Sequence, residues 1–130
     1  MYKTFKNESE KQEILLRIAE NYEIQGSYDD AEKTYRKCCK LDNARAFMKI
    51  GNLLIKRGKI YEGVENLEKA NCIERCNIEI ETKLVYGYSL REETTDKAFS
   101  LANTILKRNP ESLETLIMIT NILVKKGKVR

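Results

Sequence analysis

The chain has 130 residues, 42% hydrophobic and 34% charged, with 24 Lys plus Arg against 20 Asp plus Glu. That is enough chain for one domain with a core, and the mixture excludes a disordered polyelectrolyte; the mild positive balance neither demands nor excludes nucleic acid. No run approaches the roughly 18 apolar residues of a membrane span. The opening stretch MYKTFKNESEK also lacks a signal peptide's apolar core, so a cytoplasmic or nuclear protein with four reduced cysteines is expected.

Residues 1–8 are polar and are expected to form a disordered tail, leaving a single domain over 9–130. Ser9 with Gln12 matches a capping box, and Leu15, Ile18, Ala19 and Tyr22 then recur at helical spacing until Gly26. Ser27 or Asp29 opens a second helix with Ala31, Tyr35 and Cys38 inside. Asp42 can cap a third, carrying Phe47, Ile50, Gly51 and Leu54 and ending at Gly58. A fourth holds Ile60, Gly63, Val64, Leu67 and Ala70, and a fifth runs from about Ile78 to Glu92 with Leu84, Gly87 and Leu90. Thr94, Thr95 and Asp96 offer caps for a sixth, with Ala98, Ala102 and Ile105. Asn109-Pro110 restarts the chain into a seventh, with Leu116, Ile119, Thr120 and Leu123, which Gly127 ends. No segment alternates with a period of two, so the chain is predicted to be all-α.

The helices repeat in pairs. Small residues stand at Ala19, Gly51, Gly87 and Thr120 in the first helices, and at Ala31, Gly63 and Ala98 in the second. The separations are near the 34 or so residues of a helix–turn–helix repeat. The turns IQGSYDDAEKTY, IKRGKIYEGVENL and VKKGKV echo one another. Small residues let antiparallel helices approach closely, and the aromatic residues fill the space between pairs. One pair cannot bury its apolar stripe alone, so several must stack.

This pattern resembles the tetratricopeptide repeat family over residues 12–130, most closely in Leu15, Ile18, Ala19, Tyr22, Gly26, Tyr28, Ala31 and Tyr35. The second copy has Gly63 where the family favours alanine. The third lacks the turn glycine and is one residue short before Ala98. The resemblance implies a right-handed α-solenoid of about seven helices, with repeats over 12–43, 44–77 and 78–112 and a half repeat over 113–130. It also implies a non-catalytic scaffold that holds a peptide or helix of another protein, or serves as a subunit of a multiprotein complex. Cell-cycle ubiquitin ligases and transcription assemblies are such complexes.

Members of the family line a concave groove with their first helices. Here that assigns Leu16 and Glu20; Met48, Asn52, Ile55 and Lys56; Leu84, Tyr88 and Arg91; and Ile117, Asn121 and Val124. The mixture suits a segment with apolar anchors. Leu16, Met48 and Leu84 also fit a role inside the stack. Co-chaperone members of the family grip acidic C-terminal tails with lysines, an arginine and asparagines. Leu16, Glu20, Met48 and Val85 stand at those positions here, so that clamp is absent.

The last predicted helix, SLETLIMITNILVKK, is apolar nearly all round. A solenoid normally ends on a polar face. Leu113, Leu116, Ile119, Ile122 and Leu123 are therefore candidates for a contact with a next repeat or a second copy, which makes homodimerisation an alternative function. Basic residues at Lys56, Arg57 and Lys59, and again at Lys125, Lys126, Lys128 and Arg130, raise RNA binding as another. The turn between them holds Glu92 and Glu93, which breaks the stripe, and helix-end pairing accounts for the lysines. The chain has no histidine and no glycine-rich phosphate loop, so no catalysis and no cofactor is expected. Its cysteines lack zinc-ligand spacing, and Cys38 is expected in the core.

Overall fold

The computed structural model describes residues 8–38 and 42–125. The helices are α1 (Glu8–Ile24), α2 (Tyr28–Cys38), α3 (Ala44–Lys56), α4 (Ile60–Ile73), α5 (Ile78–Ser89), α6 (Thr95–Arg108) and α7 (Leu113–Lys125). A single 3₁₀ turn, Glu92–Thr94, precedes α6, and no strand occurs among the described residues. Each helix packs on the next in chain order, and α5 also touches α3 and α7. Short turns between long apolar stripes leave antiparallel stacking as the way to bury them.

Two of the three turns inside helix pairs close on glycine. Gly26 and Gly58 have φ of +83° and +86°, the left-handed region that side chains avoid. In both turns the next residue's N–H reaches back across the glycine, Ser27 to the Tyr22 carbonyl and Lys59 to the Leu54 carbonyl, each at 2.8 Å. These bonds satisfy carbonyls that the helix end leaves open. The third turn has no glycine and is closed by hydroxyls instead. Thr94 donates to the Tyr88 carbonyl at 2.6 Å, and Thr95 to the Arg91 carbonyl at 3.0 Å. Thr94 stands at the N-cap position of α6, as expected, but its side chain serves the end of α5, which stops at Ser89 rather than Glu92.

Two other expected caps move. Glu8 is already helical, so Ser9 does not start α1, and the Gln12 side chain accepts a hydrogen bond from Asn43. Asn43, not Asp42, caps α3: its side-chain oxygen accepts from the Ala46 N–H at 3.2 Å. The neighbouring residues are both competent caps, and Asn43 holds the extended backbone that the role requires.

The core runs through the stack as three clusters. Leu16 and Ala19 of α1 meet Ala31, Tyr35 and Cys38 of α2 and Ala46, Ile50, Leu53 and Leu54 of α3. Ala44 and Met48 of α3 meet Val64, Leu67 and Ala70 of α4 and Ile80 and Leu84 of α5. Val85, Ala98, Ala102 and Ile105 then receive Ile122 of α7. Burial holds the Cys38 thiol protonated, with its pKa raised, consistent with a core role. Ile18, placed in the α1 stripe by its spacing, is instead 41% exposed. It lies on the side of α1 that no described helix covers.

The closest helix crossing is α3 on α4. A methyl group built on Gly51 would stand 2.8 Å from the Gly63 carbonyl oxygen, and one on Gly63 would stand 2.7 Å from that of Gly51. The expected equivalence of Gly87 with Gly51 does not hold. Gly87 faces Val64 and Ile55 of the preceding pair instead of its own partner α6. Counted from the capping asparagines, Asn43 before α3 and Asn77 before α5, the residue that matches Gly51 is Val85, two positions before Gly87.

One ion pair closes the third pair across its open end. Arg108 at the end of α6 reaches both carboxylate oxygens of buried Glu81 at 2.6 Å. Arg108→Ala should therefore lower stability by about 1–3 kcal/mol, because Glu81 loses its partner while staying buried. Glu81→Leu added to Arg108→Ala should recover most of that loss in urea denaturation. If the double variant is no better than the single one, the burial of Glu81 is not the cause.

Candidate functional site

The first helices α1, α3, α5 and α7 stand side by side along one face of the stack, and this face divides into two unlike halves. Between α1 and α3 it is closed by charge: Arg45 pairs with Glu13 at 3.0 Å, Lys49 with Glu20, and Lys56 with Glu23. Glu23 also accepts the Tyr35 hydroxyl at 2.9 Å, so one carboxylate joins α1, α2 and α3. Glu20 and Lys56 were both expected to meet a ligand, and both are engaged with the neighbouring helix.

Beneath those pairs the expected apolar groove residues are core. Leu16, Met48 and Leu84 are only 2–3% exposed, each inside a cluster that spans two or three helices. Ile55 is turned toward Gly63 and Gly87, filling the space between α3, α4 and α5. Asn52 remains half-buried on α3.

Tyr88 and Arg91 are on another face. Together with Tyr61, Val64, Glu65, Glu68, Thr94 and Lys97 they line a cleft of about 190 Å³ between α4, the end of α5 and the start of α6. The Tyr88 hydroxyl donates to Glu68, and burial raises its pKa, so the ring acts as a neutral donor. Arg91 lies over the Tyr61 ring, 4.1 Å from its centroid, and pairs with Glu93 at 2.9 Å. These residues hold turns together, and counted from the capping asparagines they stand where Leu54 and Arg57 stand on and after α3.

Between α5 and α7 the first-helix face is open. A cleft of about 370 Å³ is lined by Val85, Tyr86 and Ser89 of α5 and by Met118, Asn121, Ile122 and Val124 of α7. Val85 and Ile122 form its buried floor, while Tyr86, Asn121 and Val124 are exposed. No lining residue is charged. Apolar contact with a few hydrogen bonds is what this arrangement offers, from the Asn121 amide, the Tyr86 phenol and the Ser89 hydroxyl. Asn121 and Val124 were expected in a binding groove. Val85, Tyr86, Ser89 and Met118 were not, because the sequence register put Leu84 and Tyr88 there.

Ile117, the remaining expected groove residue, lies outside this cleft on the outer face of α7 and is 59% exposed. Of the residues expected at an uncovered end, Leu113 and Leu116 are exposed, and Ile119 and Leu123 are half-buried. Ile122 is buried against α5 and α6 and is not available for a further contact. Of the basic turns, Arg57 pairs with Asp29 and Glu32 at 2.9 and 3.0 Å, and Lys126, Lys128 and Arg130 lie outside the described residues. No group of three or more potential metal ligands occurs among the described residues.

Residues 12–45 match the family model described as a tetratricopeptide repeat. No curated protein sequence matches the chain. Several solved structures share its fold. One is the first such domain of Spaghetti (RPAP3) bound to an HSP90 peptide, with a TM-score of 0.81 and 16% identity, covering 90% of this chain and 94% of that one. Another is the Yersinia enterocolitica type III secretion chaperone SycD in complex with a peptide of the translocator YopD, at a TM-score of 0.75 and 18% identity, covering 89% and 95%. A third is the second such domain of human RPAP3 in complex with an HSP70 peptide, at a TM-score of 0.74 and 13% identity, covering 85% and 97%. Residues 12–45 thus carry the sequence of one tetratricopeptide repeat, and the described stack takes the right-handed α-solenoid fold of these structures.

Proposed function

We propose that this chain is a non-catalytic binding module that holds a segment of another protein in the cleft between α5 and α7. The observation that carries this is the cleft itself, an uncharged opening of about 370 Å³ on the first-helix face with an apolar floor and polar rim. The solved relatives described above include three bound to peptides of other proteins, which supports a peptide-sized ligand. The ligand differs in kind from an acidic tail. Leu16 and Met48 are buried where a carboxylate clamp would place lysines, and Lys49 and Lys56 are neutralised by Glu20 and Glu23. The expected segment carries one or two aliphatic anchors flanked by groups that hydrogen-bond with an amide.

Selection of random 12-residue peptides on the chain tests this. Enriched sequences should carry spaced aliphatic residues without a terminal acidic run. Asn121→Ala with Tyr86→Ala should weaken the best binder at least tenfold, about 1.4 kcal/mol, in a fluorescence titration. Both residues are exposed, so the circular dichroism spectrum should not change. Enrichment of acidic C-termini whose binding ignores the double substitution would show the proposal to be wrong.

A further inference from the structure

One residue lining the α5–α7 cleft carries an oxidisable atom. Met118 stands in the cleft wall, half-buried, with its side chain packed against the cluster that holds Val85 and Ile122. Of the other methionines, Met48 is 3% exposed inside the core, and Met1 lies outside the described residues. Met118 is therefore the described methionine that solvent reaches, and it is reached at the cleft. Val85, Ile122 and Val124 beside it offer an oxidant nothing to attack, and the exposed thiols of Cys72 and Cys76 do not line this cleft.

Resting on the reading of the cleft as a segment-binding site, we infer that Met118 is an oxidative modification site whose state switches that binding, with hydrogen peroxide as the oxidant. A lone pair on Sδ attacks one peroxide oxygen, the S–O bond forms as the O–O bond breaks, and the other oxygen leaves as water. Sulfur gives up two electrons and the peroxide takes them. A dithiol reductase reverses the step: its two thiols become a disulfide, and the sulfoxide oxygen leaves as water. Oxidation turns a flexible apolar side chain into a polar one with a strong acceptor oxygen. In an uncharged cleft with an apolar floor, that oxygen has two fates, and both oppose the ligand. Held beneath an apolar anchor, it is desolvated without a partner. Turned toward the rim, it takes an N–H of the Asn121 amide, three residues further along the same side of α7. That withdraws the donor the ligand would use.

The test uses the full chain, dilute hydrogen peroxide and a peptide selected on the unoxidised chain. Dithiothreitol added after the peroxide restores oxidised thiols and leaves the sulfoxide, and peptide mapping should then place one added oxygen on Met118 and none on Met48. The oxidised chain should bind the peptide at least about tenfold more weakly in a fluorescence titration, with an unchanged circular dichroism spectrum. Met118→Leu conserves volume and should keep affinity within about twofold, before and after peroxide. Met118→Gln should bind as weakly as the oxidised parent with no peroxide added. Saturating peptide should slow the oxidation of Met118, because the ligand covers it. The inference is overturned if Met118 gains no oxygen, if its oxidation leaves affinity unchanged, if Met118→Leu loses as much as the parent, or if the loss comes with fallen helicity. Tyr86→Ala with Asn121→Ala, measured without peroxide, separates the two claims. Full affinity in that variant removes the reading of the cleft and the inference with it, whereas lost affinity there beside indifference to oxidation removes the inference alone.

Discussion

Tyr35→Ala should lower the unfolding free energy by about 3–5 kcal/mol, read as a lower urea midpoint. Tyr35 is fully buried between α1, α2 and α3, so its removal leaves a cavity where three helices meet. Its hydroxyl also donates to Glu23, which holds Lys56 on its other oxygen. Tyr35→Phe keeps the ring and should cost only about 1 kcal/mol. A loss as large in the phenylalanine variant would place the weight on the hydrogen bond instead of the packing.

The same residue sets an alkaline limit. Burial, and then the hydrogen bond to Glu23, push the Tyr35 phenol well above its ordinary value of 10.0. The unfolded chain therefore ionises this group first as pH rises. The stability it contributes is complete below about pH 10 and is lost progressively above it. Tyr88 is raised in the same direction, for burial and its bond to Glu68, so both phenols act together. Tyr35→Phe should flatten the fall in urea midpoint above pH 10. A decline as steep as the parent's would refute the assignment.

The second large effect is expected at the α3–α4 crossing. Gly63→Val should destabilise by about 3 kcal/mol or more, and Gly63→Ala by about 1–3, despite the gain of up to about 1 kcal/mol that alanine brings to a helix. The obstacle is backbone. A built Cβ on Gly63 falls 2.7 Å from the Gly51 carbonyl oxygen, which cannot rotate away. Gly26→Ala is the informative comparison. Nothing lies within 4 Å of a Cβ there, and the cost comes from the positive φ alone. Asparagine tolerates that conformation, so Gly26→Asn should recover part of the loss. Gly63→Asn should recover none. Recovery at both sites in a thermal melt would contradict the crowding argument.

The paired architecture was legible because the sequence repeats it in the residues that geometry constrains most. Gly26 and Gly58 are needed for left-handed turns, and Ala19, Ala31, Gly51 and Gly63 for close crossings. The site was less legible for one reason, the register of α5. Counted from the cap Asn77, Val85 and not Gly87 matches Gly51, which places Tyr88 and Arg91 behind the stack and Val85, Tyr86 and Ser89 on the first-helix face. An alignment on the glycines misses this, because the helix start and not the small residue sets the register. Burial of Leu16, Met48 and Leu84 was open for a different reason. An apolar residue on a groove line serves a ligand and a core equally well, and only the distance to the next helix decides.

The unlike halves of the first-helix face respond to different solvents. Arg45, Lys49 and Lys56 hold α3 to α1 through Glu13, Glu20 and Glu23, and exposed pairs of this kind weaken as ions screen them. Val85, Met118 and Ile122 hold α7 to α5 by apolar contact, which salt leaves intact or strengthens. In a stack where each pair leans only on its neighbours, such a contrast is not averaged away. Ionic strength therefore loosens the molecule from its beginning, while the end that carries the open cleft keeps its shape.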